Sequence, residues 1–167
     1  MNCAASRSQH GFTYLSLLFL VAILGAGLGM AGELWSTRAQ REKEEELLFV
    51  GRQFRTAIQS FSDAAPAGQP RRLPRTLQEL VEDKRWPVTR RHLRRIYFDP
   101  MTGAPDWVLV AGAGGGIQGV HSRSSSRPFK QAGFDEDEES FENAKAVNQW
   151  TFSPSAMGAA EKASPRK

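Results

Sequence analysis

The chain has 167 residues, with 22 Lys and Arg against 18 Asp and Glu for a formal net charge of +4. It is basic without being extreme, its charges are interspersed, and its length suits one modest domain. The single cysteine, Cys3, lies at the extreme N-terminus, so a chain shortened past it holds neither a disulfide nor a thiolate metal site.

Residues 1–11 form a polar leader with one Arg and no acid, and an uncharged apolar run follows from Phe12 to Ala31. The polarity boundary falls at Gly11-Phe12, before the apolar run. A secretory signal peptide is cut after its apolar stretch, so cleavage here would keep the run in the mature protein. Twenty helical residues extend about 30 Å, the thickness of a hydrocarbon core, and a transmembrane helix is expected over 12–32. Gly25 and Gly29 stand four apart on one face and permit close helix packing. Arg7 before the run and Glu42, Glu44, Glu45 and Glu46 after it favour an N-terminus in the cytoplasm and a C-terminal domain in the periplasm. A competing small-residue site, Gly29-Met30-Ala31 before Gly32, would release a soluble periplasmic module. It leaves the Gly11-Phe12 boundary unexplained.

The helical pattern continues over 33–62. Arg38 and Glu42 are i,i+4 neighbours, and Leu47, Val50, Phe54, Ile58 and Phe61 recur at three- and four-residue steps as one stripe. Pro66, Gly68, Pro70 and Pro74 break it. Thr76-x-x-Glu79 then reads as a capping box opening a short helix, with Leu77, Leu80 and Val81 as its apolar face and Trp86-Pro87 as its stop. A helical turn is expected over 90–96. Strands are expected over 107–111 and 117–121, joined by a Gly112–Gly116 turn, with a last short strand at 150–152. One helical turn is expected over 141–147, and the composition from 153 to 167 suggests a disordered tail.

Gly11-Phe12-Thr13-Tyr14-Leu15, followed by the apolar helix, resembles the class III leader of type IV pilins and type II secretion pseudopilins. Asp99-Pro100-Met101-Thr102-Gly103, Asp106-Trp107 and Gly116-Ile117-Gln118-Gly119-Val120-His121-Ser122 are similar to a G-like pseudopilin subgroup. The resemblance implies that a prepilin peptidase cuts between Gly11 and Phe12, that Phe12 is then N-methylated, and that the helix packs in the core of a filament. The family carries Glu at the fifth mature position, where this chain has Ser16. Ser16 cannot form the ion pair ascribed to that Glu, which favours a minor, tip or atypical subunit.

Other patterns have plainer readings. The Gly112–Gly116 stretch lacks the Lys-Ser/Thr of a phosphate-binding loop and sits between strands. Asp135, Glu136, Asp137, Glu138 and Glu139 offer hard oxygen donors for Ca²⁺ but lack EF-hand spacing, so a solvated loop is expected, with calcium as the alternative. His10, His92 and His121 are scattered and point to no metal site. Arg71, Arg72, Arg75, Arg85, Arg90, Arg91, Arg94 and Arg95 make a basic middle region. It reads as a solvated face pairing with acids of neighbouring subunits, with anionic lipid heads or DNA as alternatives. The scarcity of interleaved aromatics argues against nucleic acid as a partner.

The expected fold is α+β: a long N-terminal transmembrane helix continuing into a small pilin-like domain, 63–152, with a short antiparallel sheet. The expected function is structural, not enzymatic and without a cofactor: a pseudopilin-like subunit of a type II secretion or related filament for protein export. The expected place is the bacterial inner membrane, single-pass. Partners would be the prepilin peptidase, other pseudopilins or pilins, the inner-membrane assembly platform and membrane lipid. A minor type IV pilin for adhesion or DNA uptake is the alternative.

Overall fold

The computed structural model describes residues 10–154 of the chain, and the side chains of 14–24, 35–112 and 114–154. Helix α1 is His10–Asp63, helix α2 is Gln78–Val81, and strands β1 (Val108–Ala111) and β2 (Ile117–His121) form the sheet. Short 3₁₀ turns lie at Ala113–Gly115, Glu136–Phe141 and Val147–Gln149. The chain divides into two compact units, residues 1–40 and 41–167.

One expectation is overturned here. Among the described residues no helix is long and apolar enough to cross a membrane. The transmembrane helix, and with it the single-pass inner-membrane placement, is therefore not supported. Gly25, Gly27, Gly29 and Gly32 interrupt the apolar side chains of the run, and charge begins at Glu33 and Arg38.

In the second unit α1 carries the core. Leu47, Leu48, Val50, Phe54, Ala57, Ile58 and Phe61 are buried, following the stripe that periodicity indicates. They join Trp107, Ile117, Val120, Phe141, Val147, Trp150 and Phe152 in one cluster. Phe54 meets the Trp107 ring edge-on at 5.1 Å. Phe152 packs against Phe141 at 5.1 Å, and Phe141 stacks on Trp150 at 5.8 Å. These offset and edge-to-face contacts bury the largest rings of the chain on the helix.

β1 and β2 are antiparallel, with Val108 opposite His121 and Leu109 opposite Val120, and an irregularity between Val110 and Ala111. The 150–152 segment contributes a single bridge, Phe152 with Val120, whose N–H groups each donate to the other's carbonyl at 2.9 and 3.2 Å. Trp107 sits just before β1, buried, with its indole N–H donating to the Tyr97 carbonyl at 2.8 Å. The 90–96 stretch is not helical: Arg90 instead pairs with Asp83 in an antiparallel bridge. The expected turn at 141–147 is replaced by the two 3₁₀ turns that flank it. The 155–167 tail lies outside the described residues.

The capping box does not form. Leu77 occupies the N-cap of α2, and no side chain caps it. Glu79 instead accepts the Arg75 backbone N–H at 3.1 Å and pairs with Arg72 at 2.9 Å. The carboxylate still reaches back to a free amide, but one residue upstream of the motif, because the adjacent Arg72 guanidinium holds it there.

Gly51 is required by close approach. A Cβ there would fall onto the ring of Phe152, which is itself fully buried and held by Phe141. Replacing Gly51 with Ala is expected to destabilise the unit by about 1–3 kcal/mol through overpacking, even though Ala favours the helix. Urea unfolding followed by tryptophan fluorescence would show a lower midpoint at unchanged slope. A midpoint equal to that of the unaltered chain would disprove the contact.

Candidate assembly surface and its polar anchors

In the first unit, α1 shows a run of exposed apolar side chains. Tyr14, Leu15, Leu17, Leu18, Phe19, Leu20, Val21, Ile23 and Leu24 are each between 49% and 67% exposed. At 100° per residue they face all directions around the helix axis. Such a helix ordinarily lies inside something larger. Ser16 falls within this run, exposed and engaged in an interaction of its own. Gly25 and Gly29 follow one turn apart in the α1 backbone.

Gly11 and Phe12 lie in the first turn of α1. That turn contains no acidic residue to complement the helix dipole. A first turn has unsatisfied amides and opens readily. Residues 1–9 of the leader lie outside the described residues.

In the second unit, α1 offers a polar flank beside its apolar stripe. Glu44, Leu48, Arg52 and Arg55 succeed one another at steps of four, four and three. Glu44 is only 2% exposed and accepts the Phe129 N–H at 2.9 Å and the Lys130 N–H at 3.0 Å. Arg52 forks onto Glu138 with bonds of 2.8 and 2.7 Å and also meets Asp135 at 2.8 Å. Arg55 reaches Glu138 at 3.6 Å and Asp137 at 3.8 Å. The hydrogen bonding that Arg52 donates to Glu138, with the charges of Glu138 and Asp135, raises the Arg52 pKa despite partial burial. The acidic run is therefore not a solvated loop throughout, because Glu138 is completely buried. Three of its carboxylates face guanidinium groups, an arrangement suited to ion pairing. Among the described residues no group of three or more His, Cys, Asp or Glu side chains is placed to hold a metal ion.

A second buried polar cluster closes the C-terminal end of α1. Arg85 grips both oxygens of Asp83 at 2.8–3.1 Å and donates to the Phe61 carbonyl at 2.7 Å. Its guanidinium lies over the Phe61 ring at 3.6 Å. His92 shares a 3.3 Å bond with Asp83 through Nε2 and a 2.8 Å bond with Ser60 through Nδ1. The Ser–His–Asp order resembles a nucleophile relay. However, Ser60 sits within a helix, where backbone amides bond to the preceding turn and are unavailable as oxyanion donors. What the cluster does is satisfy the last turn of α1. Burial pushes the Asp83 carboxyl up, but hydrogen bonds from Arg85 and His92 and the Arg85 charge outweigh it and bring it from 3.8 to about 2.

The three stretches that resemble the pseudopilin subgroup meet in space. Ser122 donates to the buried Asp99 at 2.6 Å. Asp99 also accepts the Met101 N–H at 2.9 Å, and Thr102 donates to Asp106 at 2.6 Å. Asp106 is then paired with Arg123 at 3.4 Å. Each motif is thus one side of a shared corner, where the 99–103 turn is tied to the end of β2. The basic middle region divides. Arg71, Arg72 and Arg85 pair with Asp63, Glu79 and Asp83. Arg90, Arg91, Arg94 and Arg95 are exposed and make no salt bridge among the described residues.

Comparison with family models, with curated proteins and with solved structures gives no match. Sequence reasoning named Glu44 only as one of an acidic group and His92 only as a scattered histidine, and did not name Asp83. The signal for Glu44 is its place beside the apolar stripe among fully solvated glutamates, and it becomes distinctive only when the 128–131 loop arrives.

Two outcomes follow for the anchors. Because the folded pKa of Asp83 lies below its unfolded value, its contribution is complete above pH ~4 and disappears as the pH falls through ~2, a loss of about 2 kcal/mol. Asp83→Asn should flatten the denaturant midpoint over that window, and an unchanged acid dependence would remove Asp83 from the account. Glu138→Ala leaves Arg55, with 12% of its side chain exposed, facing no buried carboxylate, and should cost about 3 kcal/mol in urea unfolding. A loss under about 0.5 kcal/mol would mark the pair as an ordinary surface contact.

Proposed function

We propose that this chain is a pseudopilin-like structural subunit, cut between Gly11 and Phe12 by a prepilin peptidase and assembled with further pilin-like subunits into a filament that serves protein export. One observation carries the reading: the apolar side chains of 14–24 are exposed all around α1. A single groove covers one stripe of a helix. A helix apolar on every side needs several neighbours at once, and a bundle of like helices at the centre of a filament supplies them. Gly25 and Gly29 would allow those neighbours close approach.

Three further features support it. The Gly11-Phe12 junction matches the peptidase site, and it occupies a helix turn that opens readily. The motif stretches around Asp99, Asp106 and Ser122 form one structural corner, as expected of residues that belong to a common fold. Nothing in the reading calls on catalysis, and the Ser60–His92–Asp83 cluster has a structural use. Ser16 in place of the family's glutamate fits a minor or tip subunit, which needs fewer copies of itself than a bulk subunit does.

The test is expression with a prepilin peptidase, followed by intact-mass analysis and sedimentation. The mature chain should begin at Phe12 and enter high-molecular-weight assemblies. Leu18→Lys and Ile23→Lys should abolish sedimentation while the tryptophan fluorescence of the second unit stays native, since neither residue belongs to its core. A chain left uncut at Met1, or one that remains monomeric after cutting, would overturn the proposal.

A further inference from the structure

The geometry points to the loop 84–89 as a docking tip for an anionic lipid surface. The loop is closed at its base by the Asp83–Arg90 bridge, in which the Asp83 N–H donates to the Arg90 carbonyl at 2.9 Å. Its root is fastened by the buried Asp83–Arg85 pair and by Leu93, which is 3% exposed. A loop so held keeps its shape before meeting a partner, and little ordering entropy is lost on docking.

The tip itself is apolar. Val88 is 80% exposed, the most exposed of the large hydrophobic side chains described, and Pro87 beside it is exposed. Trp86 lies under the Arg90 guanidinium at 4.7 Å and, with Pro87 and Val88, lines a shallow depression. Behind the tip stand the exposed Arg90, Arg91, Arg94 and Arg95, without salt bridges among the described residues. The nearest exposed acid in sequence, Glu82, is directed to Lys84 at 3.7 Å.

Charge and hydrophobicity together select the occupant. Nucleic-acid phosphates would use the arginines but give an aliphatic tip nothing to enter. An anionic lipid surface accepts both, with phosphates around the guanidinium groups and acyl chains just beneath for Val88 and the Trp86 ring. An indole with one apolar side and one side near charge suits that boundary. This docking is peripheral, involves only the second unit, and stands apart from the assembly proposed above.

The full chain should be floated with phosphatidylcholine vesicles, with and without phosphatidylserine. Any binding through the exposed 14–24 run appears in both and is the baseline. Phosphatidylserine should strengthen binding in a salt-sensitive manner. The triple variant R90A/R91A/R94A should lose about a hundredfold of that gain. Val88→Asp, a change at an exposed position that circular dichroism should show to be harmless to the fold, should lose about tenfold. Brominated lipid should quench part of the tryptophan emission, and Trp86→Phe should remove that part. Binding indifferent to phosphatidylserine would overturn the inference. So would full retention of the gain by Val88→Asp, or binding of a duplex DNA fragment in place of vesicles with the same arginine dependence.

Discussion

The Phe152 ring lies against the α1 backbone at Gly51, and the rest of the second unit is arranged around that approach. A side chain at 51 would hold the last core segment away from the helix. With none there, Phe152 reaches the helix, its backbone bridges Val120, and β2 is thereby brought over the same face. Phe141 and Trp150 then close over Phe152. A two-stranded sheet alone is marginal in water, and here the helix supplies the apolar surface that makes it stable.

Beside that apolar stripe the helix carries a polar flank with a different task. The segment from Ser122 to Ala146 has little regular structure, so its backbone cannot satisfy itself by a ladder. Glu44 takes two of its amides, while Arg52 and Arg55 hold its acidic turn through the buried Glu138. At the helix end, Arg85 takes the Phe61 carbonyl and Asp83 holds Arg85. One helix thus organises an irregular domain by offering carbon on one side and charge on the next. Removing either member of such a buried pair is harmful because the other is left uncompensated.

The same helix is uncovered where the first unit carries its apolar run. Exposed Leu, Phe, Val and Ile on every side of a helix are unfavourable in water, and burying them against apolar neighbours would be favourable. Among the described residues no helix is long and apolar enough to cross a membrane. The loop at 84–89 presents a smaller exposed surface, followed by Arg90, Arg91, Arg94 and Arg95, which make no salt bridge among the described residues.

The sequence by itself determined the elements whose signal is local. The 47–61 stripe follows from a 3.6-residue period, the β2 bounds from an apolar and β-branched stretch between the Gly112–Gly116 turn and the polar loop at Ser122, and the Gly11-Phe12 boundary from a step in polarity. Gly11, Phe12, Ser16, Gly25 and Gly29 were named from motif positions, whereas the buried polar anchors were not legible at that level. The membrane span is not supported, since among the described residues no helix is long and apolar enough to cross a membrane. Only the tertiary structure decided which charges are buried. Glu44 and Glu45 are adjacent glutamates with the same propensity, and so are Glu138 and Glu139, yet one of each pair is buried and one solvated. The difference lies in partners 85 or 86 residues away, and no local rule carries information over that distance.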